Sequence, residues 1–266
     1  MSVLAIDVGN SRVGLAVLSA GKSKDAAVRF HHGELDKELP ATLATLWKTA
    51  EAESTEAGDE ETAVVVASVV PKLAEGIEAI VSSRLGVRPI RIGRDLRVPL
   101  KTALREGHTA GQDRLLGALA AYVNVEKACV VIQAGSALVV DCVDDEGVFR
   151  GGAIMPGLQM SAKALHDFAA QLPNTSLTPP EDAEPFGRFT QEAINLGLYV
   201  GARGAVRELL ERYATALGAW PHVVATGGDA QALFASEGGG EIVDSFVPDL
   251  VLQGAALTWE HHNKHI

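Results

Sequence analysis

The chain has 266 residues, 47% of them hydrophobic and 21% charged, enough for one large domain or two modest ones with a real core. Twenty-three basic against 34 acidic residues leave a net charge of −11, and aromatic residues make up only 5%. An acidic surface repels nucleic acid and anionic membranes, and scarce aromatics argue against base-stacking modules, while a local pocket for a phosphate stays open. In chain order, residues 3–6 (VLAI) read as a strand ending at Asp7-Val8-Gly9-Asn10-Ser11. A second strand, Val13 to Leu18, follows and closes on a turn at Ala20-Gly21-Lys22. Residues 51–61 hold six acids and read as a solvated helix end or loop. Ala63–Val70 is a β-branched run closed by Pro71 and reads as a buried strand. Leu73, Ile77, Ile80 and Val81 then fall on one helical face. Residues 111–125 read as a helix of small residues, and 128–140 as an apolar run broken at Gln133-Ala134-Gly135-Ser136. Asp144 to Gly147 makes a turn, and Leu158 to Phe168 an amphipathic helix. Residues 173–189, with Pro173, Pro179, Pro180 and Pro185, form an irregular loop. A long helix from Thr190 to Tyr213, with Thr190 as its N-cap, carries Gly197, Gly201 and Gly204. His222 to Thr226 is a strand ending in Gly227-Gly228, and a last helix follows Pro248-Asp249.

Three features bear on compartment. Cys129 and Cys142 sit in apolar runs and read as buried free thiols, a cytoplasmic pattern. No apolar run approaches the roughly 20 residues that span a bilayer. Asp7 interrupts the first apolar stretch too early for a signal peptide, so neither export nor membrane insertion is expected.

A weak internal repeat organises the chain. VLAIDVGNSRVGLAVL near residue 3 resembles CVVIQAGSALVVDCV near residue 129. Each is a strand, a polar residue, a glycine two residues on, a small polar residue and a second strand. Two such hairpins predict two similar α/β domains facing a central cleft, with the boundary between residues 118 and 128.

At the first hairpin Asp7 stands at a strand end beside a glycine turn. Glycine lets backbone approach a ligand, exposed amides and Ser11 hold phosphate oxygens, and the carboxylate holds Mg²⁺ through water. Gln133 to Ser136 offers a second set of amides. The same residues are also what ordinary hairpin turns use. Gly111-Gln112-Asp113-Arg114 opens a helix: Arg114 can pair with a carboxylate and Asp113 can take a hydroxyl proton, although an acid at a helix start is also favoured by the macrodipole alone. Ala225-Thr226-Gly227-Gly228 lets a flat group lie on the backbone, or is a plain strand-to-helix turn. His261 and His265 at i and i+4 are a conceivable metal pair on a terminus more simply read as solvated. Gly21-Lys22-Ser23 ends like a P-loop, but Ala16 stands where its first glycine belongs.

Taken in order, these motifs resemble the type III pantothenate kinases of the acetate and sugar kinase, heat-shock and actin superfamily. The residues that carry the resemblance are DVGNSR at 7–12, Ser68-Val69-Val70-Pro71, GQDR at 111–114, GSA at 135–137 with Asp141, Gly151 to Gly157, Leu172-Pro173, Thr190 and ATGG at 225–228. The resemblance implies two RNase-H-like (actin-like ATPase) domains, at 1–120 and 121–266, and ATP-dependent phosphorylation of pantothenate in coenzyme A biosynthesis. It implies Asp113 as general base. It places ATP at Asp7, Val8, Gly9, Asn10, Ser11, Arg12, Val13, Gly14 and Ser136, and pantothenate at Gly111, Gln112, Asp113, Arg114 and Thr190. It further implies Mg²⁺ at Asp7, a monovalent cation (K⁺ or NH₄⁺) at Gln133, and a homodimer. Departures are Gln133 where the family has Asp, Ser136 where it has Thr, Gln253 where it has Glu, and no tyrosine within residues 98–110. They keep a second reading open, a catalytically weakened relative that binds nucleotide or pantothenate as a regulator.

Overall fold

The computed structural model describes residues 2–19, 21–23, 25–58, 62–106, 108–181, 184–235 and 242–264. Its first half runs β1 (Ser2–Val8), β2 (Arg12–Ser19), β3 (Lys22–Ser23), β4 (Val28–His31), a 3₁₀ turn (His32–Glu34), α1 (Leu35–Ala57), β5 (Ala63–Ser68), α2 (Pro71–Leu85), β6 (Ile90–Arg91), β7 (Lys101–Thr102) and α3 (Gln112–Val125). The second half runs β8 (Cys129–Ala134), β9 (Ala137–Val143), β10 (Val148–Pro156), α4 (Leu158–Phe168), α5 (Thr190–Leu217), β11 (His222–Thr226), α6 (Ala230–Phe234), β12 (Ser245–Phe246) and α7 (Leu250–Asn263). Among the described residues no helix is long and apolar enough to cross a membrane.

These elements form two compact units. The described residues of 1–101, 105–124 and 249–266 make the first, and those of 102–104 and 125–248 the second. In the first, the sheet order is β3-β2-β1-β5-β6, with β4 also paired to β2. β1 and β2 are antiparallel, with Asp7 opposite Gly14, and β1 and β5 are parallel, with Asp7 opposite Ala67. The second sheet runs β12-β11-β8-β9-β10-β7, so β8–β9 is an antiparallel hairpin flanked by parallel β11. An antiparallel meander continued by parallel strands is the RNase-H-like order, and the chain carries it twice. β1–β2 and β8–β9 hold corresponding places in the two sheets, as the repeat in the sequence predicts.

Side-chain alternation explains the layers of the first unit. Leu4, Ile6 and Val8 point to one face, where α1 and α2 bury them with Leu39, Leu43 and Ile77. Val3 and Ala5 point to the other, against Leu116 of α3 and Leu252, Ala255, Ala256 and Trp259 of α7. In the second unit Val130, Ile132, Leu138 and Val140 pack on Leu158 of α4, on Tyr199, Val206 and Leu210 of α5, and on Leu233 and Phe234 of α6.

Two sequence expectations change, and the helix-end reading of the acidic stretch holds over its described residues. The expected division at 120/121 moves: α3 through Asn124 stays with the first unit, and residues from Asp249 onward return to it. The cause is the apolar face of α7, which covers the half of the first sheet that α1 and α2 leave open. Thr190 is the first helical residue of α5 and not its cap; Phe189 holds that place, and the Arg188 amide is met by the Glu192 carboxylate at 2.9 Å. The acidic stretch from 51 is the end of the 23-residue helix α1, whose period Pro40 and its many alanines and threonines obscure in the sequence. Residues 59–61 of that stretch, and Ala20 of the first turn, lie outside the described residues.

Candidate functional site

In the first unit the chain turns sharply between β1 and β2. The Gly9 amide donates to the Arg12 carbonyl at 3.0 Å, which closes the turn. Asn10, Ser11 and Arg12 are exposed, while Val8, Val13 and Gly14 are buried, so the turn is open to solvent and the flanking strands only support it. The neighbouring strand end is tied in: the Val69 amide donates to the Val8 carbonyl at 3.1 Å, and the Val70 amide to Ser68 Oγ at 2.9 Å. His32 Nε2 lies 3.0 Å from the Gly9 carbonyl. A carbonyl only accepts, so this nitrogen carries the proton and donates.

Asp7 is partly buried at the end of β1. Burial pushes its carboxyl up to about 7; the Asp113 and Asp249 carboxylates push the same way and the Arg29 guanidinium opposes them. The first turn and the start of α3 therefore face each other electrostatically within one unit. Gly111 precedes α3 because the Asp113 carboxylate folds back over it: a Cβ there would stand 2.5 Å from Asp113 Oδ1. The Arg114 and Leu115 amides both reach the Gly111 carbonyl, at 3.1 and 3.2 Å. Gln112 packs its side chain on Gly93, which has φ 87° and so favours glycine. Gln112, Asp113 and Arg114 are all partly buried, between core and solvent.

The second unit builds its own turn between β8 and β9. The Gly135 amide donates to the Ala137 carbonyl at 3.0 Å, and Gln133 and Ser136 flank it, both partly buried. Two distant segments converge on this turn. Gly157, at the end of the GGAIMPG stretch, donates its amide to the Ser136 carbonyl at 3.1 Å, and a side chain there would strike the Gly135 and Ser136 carbonyls. Gly227, with φ 100°, lies against Ala134, whose carbonyl accepts from the Asp229 amide at 3.1 Å. The glycines of three separate motifs thus serve one close backbone packing. Thr190 is exposed at the start of α5.

Among the described residues no group of three or more His, Cys, Asp or Glu side chains is disposed to hold a metal. Asp7 offers a single hard oxygen donor, with the negative charge of Asp113 and Asp249 around it. That donor set fits a divalent cation that keeps most of its waters and takes the rest of its oxygens from phosphate. Gln133 offers a neutral amide oxygen, a poorer fit to a cation than a carboxylate. Of the terminal histidine pair, His265 lies outside the described residues, and the neighbouring His262 bonds the Arg97 carbonyl at 3.0 Å.

Sequence reasoning missed Arg29, His32 and Asp249. Arg29 pairs with Asp249, which caps α7 with its backbone in the left-handed region. No local motif marks them, because strand pairing and chain return bring them to Asp7.

The comparisons agree with one another. Residues 3–212 match the family model described as type III pantothenate kinase. The curated type III pantothenate kinase of Dehalococcoides mccartyi is 31% identical over 97% of this chain and 97% of its own. That of Hyphomonas neptunium is 30% identical over 98% of this chain and 99% of its own. A crystal structure from Campylobacter jejuni, assigned to the Baf family of transcriptional activators, aligns with a TM-score of 0.59 at 19% identity, over 98% of this chain and 99% of that one. At that identity it carries the fold alone.

Proposed function

We infer the division of labour among these residues from one premise: this chain belongs to the type III pantothenate kinase family, and it phosphorylates pantothenate with ATP in coenzyme A biosynthesis. The observation that carries the assignment of roles is the position of Asp113, at the start of α3 and within electrostatic reach of Asp7 at the first turn. Asp113 acts as general base and takes the proton of the pantothenate hydroxyl. The hydroxyl oxygen then bonds to the γ-phosphorus, the bond to the β–γ bridging oxygen breaks, and ADP leaves. Most of the acceleration comes from positioning and charge neutralisation, since phosphoryl transfer asks little covalent chemistry of the protein.

Asp7, Gly9, Asn10, Ser11 and Arg12 contact ATP phosphates, while Val8, Val13 and Gly14, expected to do so from the sequence, are buried and only support the turn; Ser136 is likewise assigned to ATP phosphate. Gly111, Gln112, Arg114 and Thr190 hold pantothenate, with the Arg114 fork on its carboxylate. The kinase chemistry calls for a divalent metal; Mg²⁺ would be held by Asp7, and when bound it would neutralise charge on the phosphates. A monovalent cation (K⁺ or NH₄⁺), if bound, would meet the neutral amide of Gln133, a weaker ligand than a carboxylate. The protein works in the cytoplasm as a homodimer formed through α5, where Gly197, Gly201 and Gly204 are exposed beside the 52% exposed Val200. A side chain added at any of the three would meet nothing within 4 Å, so that face can admit a close neighbour.

The regulator reading has less support. The curated relatives that match nearly the whole chain are kinases, whereas the transcriptional-activator likeness rests on fold. A coupled assay of ADP release, with and without pantothenate and with and without K⁺, tests the proposal. Pantothenate-dependent ADP release is expected; a protein that binds ATP and releases no ADP with pantothenate overturns the proposal.

A further inference from the structure

Strand register puts an unassigned cation beside the first phosphate turn. Asp7 of β1 lies opposite Gly14 of β2, and Gly14 lies opposite Arg29 of β4. Residues directly opposite each other on neighbouring strands project to the same face of a sheet, so Asp7 and Arg29 share a face with Gly14 between them. Gly14 has no side chain. The open place in the row is bordered by Leu252 Cδ1, 3.7 Å from where a Cβ at Gly14 would stand, and by the Arg29 Cγ at 4.0 Å. Arg29 thus lies in the same row as Asp7, two strand spacings of about 4.8 Å away.

A second element holds it there. Arg29 NH2 donates to Asp249 Oδ1 in an ion pair, and NH1 donates to the Ala27 carbonyl at 3.4 Å. Asp249 has φ 62°, a backbone conformation that costs energy for a residue with a side chain and recurs where function demands it. These bonds use two of the five guanidinium N–H groups, and the Arg29 side chain is 43% exposed, which leaves donors for a ligand. Asp7, Asp113 and Asp249 are acidic neighbours here, and Arg29 is the basic neighbour that opposes the upward shift of the Asp7 carboxyl. A polyanion arriving at this turn needs a cation already in place, and a planar fork is suited to phosphate oxygens.

We propose that Arg29 is a phosphate-binding residue of the ATP site, held ready over Gly14 by Asp249 before the nucleotide arrives. The proposal rests on the kinase reading for the identity of the ligand, and its test separates the two. Steady-state kinetics of Arg29→Ala should show the KM for ATP raised about tenfold or more, the KM for pantothenate within twofold, and the melting temperature close to the parent's. Arg29→Lys should recover part of the loss, because it restores the charge without the fork. Asp249→Asn should weaken ATP in the parent and change nothing further in Arg29→Ala, since it acts through Arg29. An unchanged KM for ATP in Arg29→Ala overturns the proposal. So does a joint loss of melting temperature and of both KM values, which marks a merely structural ion pair. If Arg29→Ala does not fold, titration of a fluorescent ATP analogue into Arg29→Gln decides by the same tenfold criterion. That titration also decides if the parent proves to have no pantothenate-dependent turnover, in which case the kinase reading fails by itself.

Discussion

Asp113 and Gly111 depend on each other: the carboxylate occupies the space a side chain at 111 would take. Loss of a general base costs about 10²–10⁴-fold in rate. Asp113→Asn should therefore lower kcat by that order while the KM for ATP changes little, because the proposed ATP site lies at the first turn and not at Asp113. Arg114→Ala should raise the KM for pantothenate most, having removed the partner of its carboxylate. Initial-rate measurements over both substrates check the split, and near-normal turnover of a stable Asp113→Asn protein would remove Asp113 from its role as base. At Gln133 the question is charge. A carboxylate presents a full charge to a monovalent cation, whereas an amide presents only a dipole. Gln133→Asp should sharpen the dependence of rate on K⁺, read from activity in K⁺ against a choline background. A parent that already needs K⁺ as strongly as the variant would contradict the assignment.

The loop after β6 shows how an element fixes the site from behind. Arg91 Nε donates to Glu78 Oε1 at 2.8 Å, Arg94 NH1 to Glu78 Oε2 at 3.1 Å, and Arg94 NH2 to Asp95 Oδ2 at 2.7 Å. The Arg91 amide also donates to Asp95 Oδ2, at 2.8 Å. This network braces the turn at Gly93, on which Gln112 of the GQDR helix start rests. The hydrogen bond from Arg94 holds the Asp95 carboxyl at about 2, below the usual carboxylate range, and the Arg91 amide adds to it. A carboxyl depressed in the folded state contributes stability that is present above its ordinary pKa and lost as pH falls toward the depressed one. Between pH 4 and pH 2 the parent should therefore lose stability that Asp95→Asn does not lose, and urea unfolding at the two pH values measures the difference. The DVGNSR turn, the GQDR helix start and the repeat of the two hairpins are all legible in the amino-acid sequence, because each is a local backbone requirement written in glycine, aspartate and β-branched runs. This brace is not, since its members lie on a helix, a strand and a loop with no periodic signature.

At the scale of the molecule, the end of the chain completes the beginning. Leu252 of α7 is buried, and its Cδ1 would stand 3.7 Å from a Cβ at Gly14 on β2. Leu252→Ala should cost about 2–5 kcal/mol in urea unfolding, the range for truncating a buried leucine, although the sequence boundary places it in the other domain. A cost near zero would mean that α7 is dispensable to the first sheet. The proposed self-association is a separate matter, and it would use the exposed glycine face of α5. Sedimentation at micromolar concentration should report a dimer in the parent and a monomer in Gly201→Arg, whose side chain would occupy the closely approached face. A parent that sediments as a monomer contradicts the homodimer.

The amino-acid sequence by itself determined the α/β class, the doubled hairpin and the ordered motifs that identify the family. Hydrophobic period and glycine placement are local properties of a chain, and they survive without knowledge of what packs on what. Tertiary structure alone decided that α7 belongs with the first sheet, that Gly157 and Gly227 close on one turn, and that Arg29 and Asp249 stand beside Asp7. Those outcomes depend on which strand pairs with which and in what register, and on an apolar face finding the half of a sheet left uncovered, neither of which any window of neighbouring residues contains.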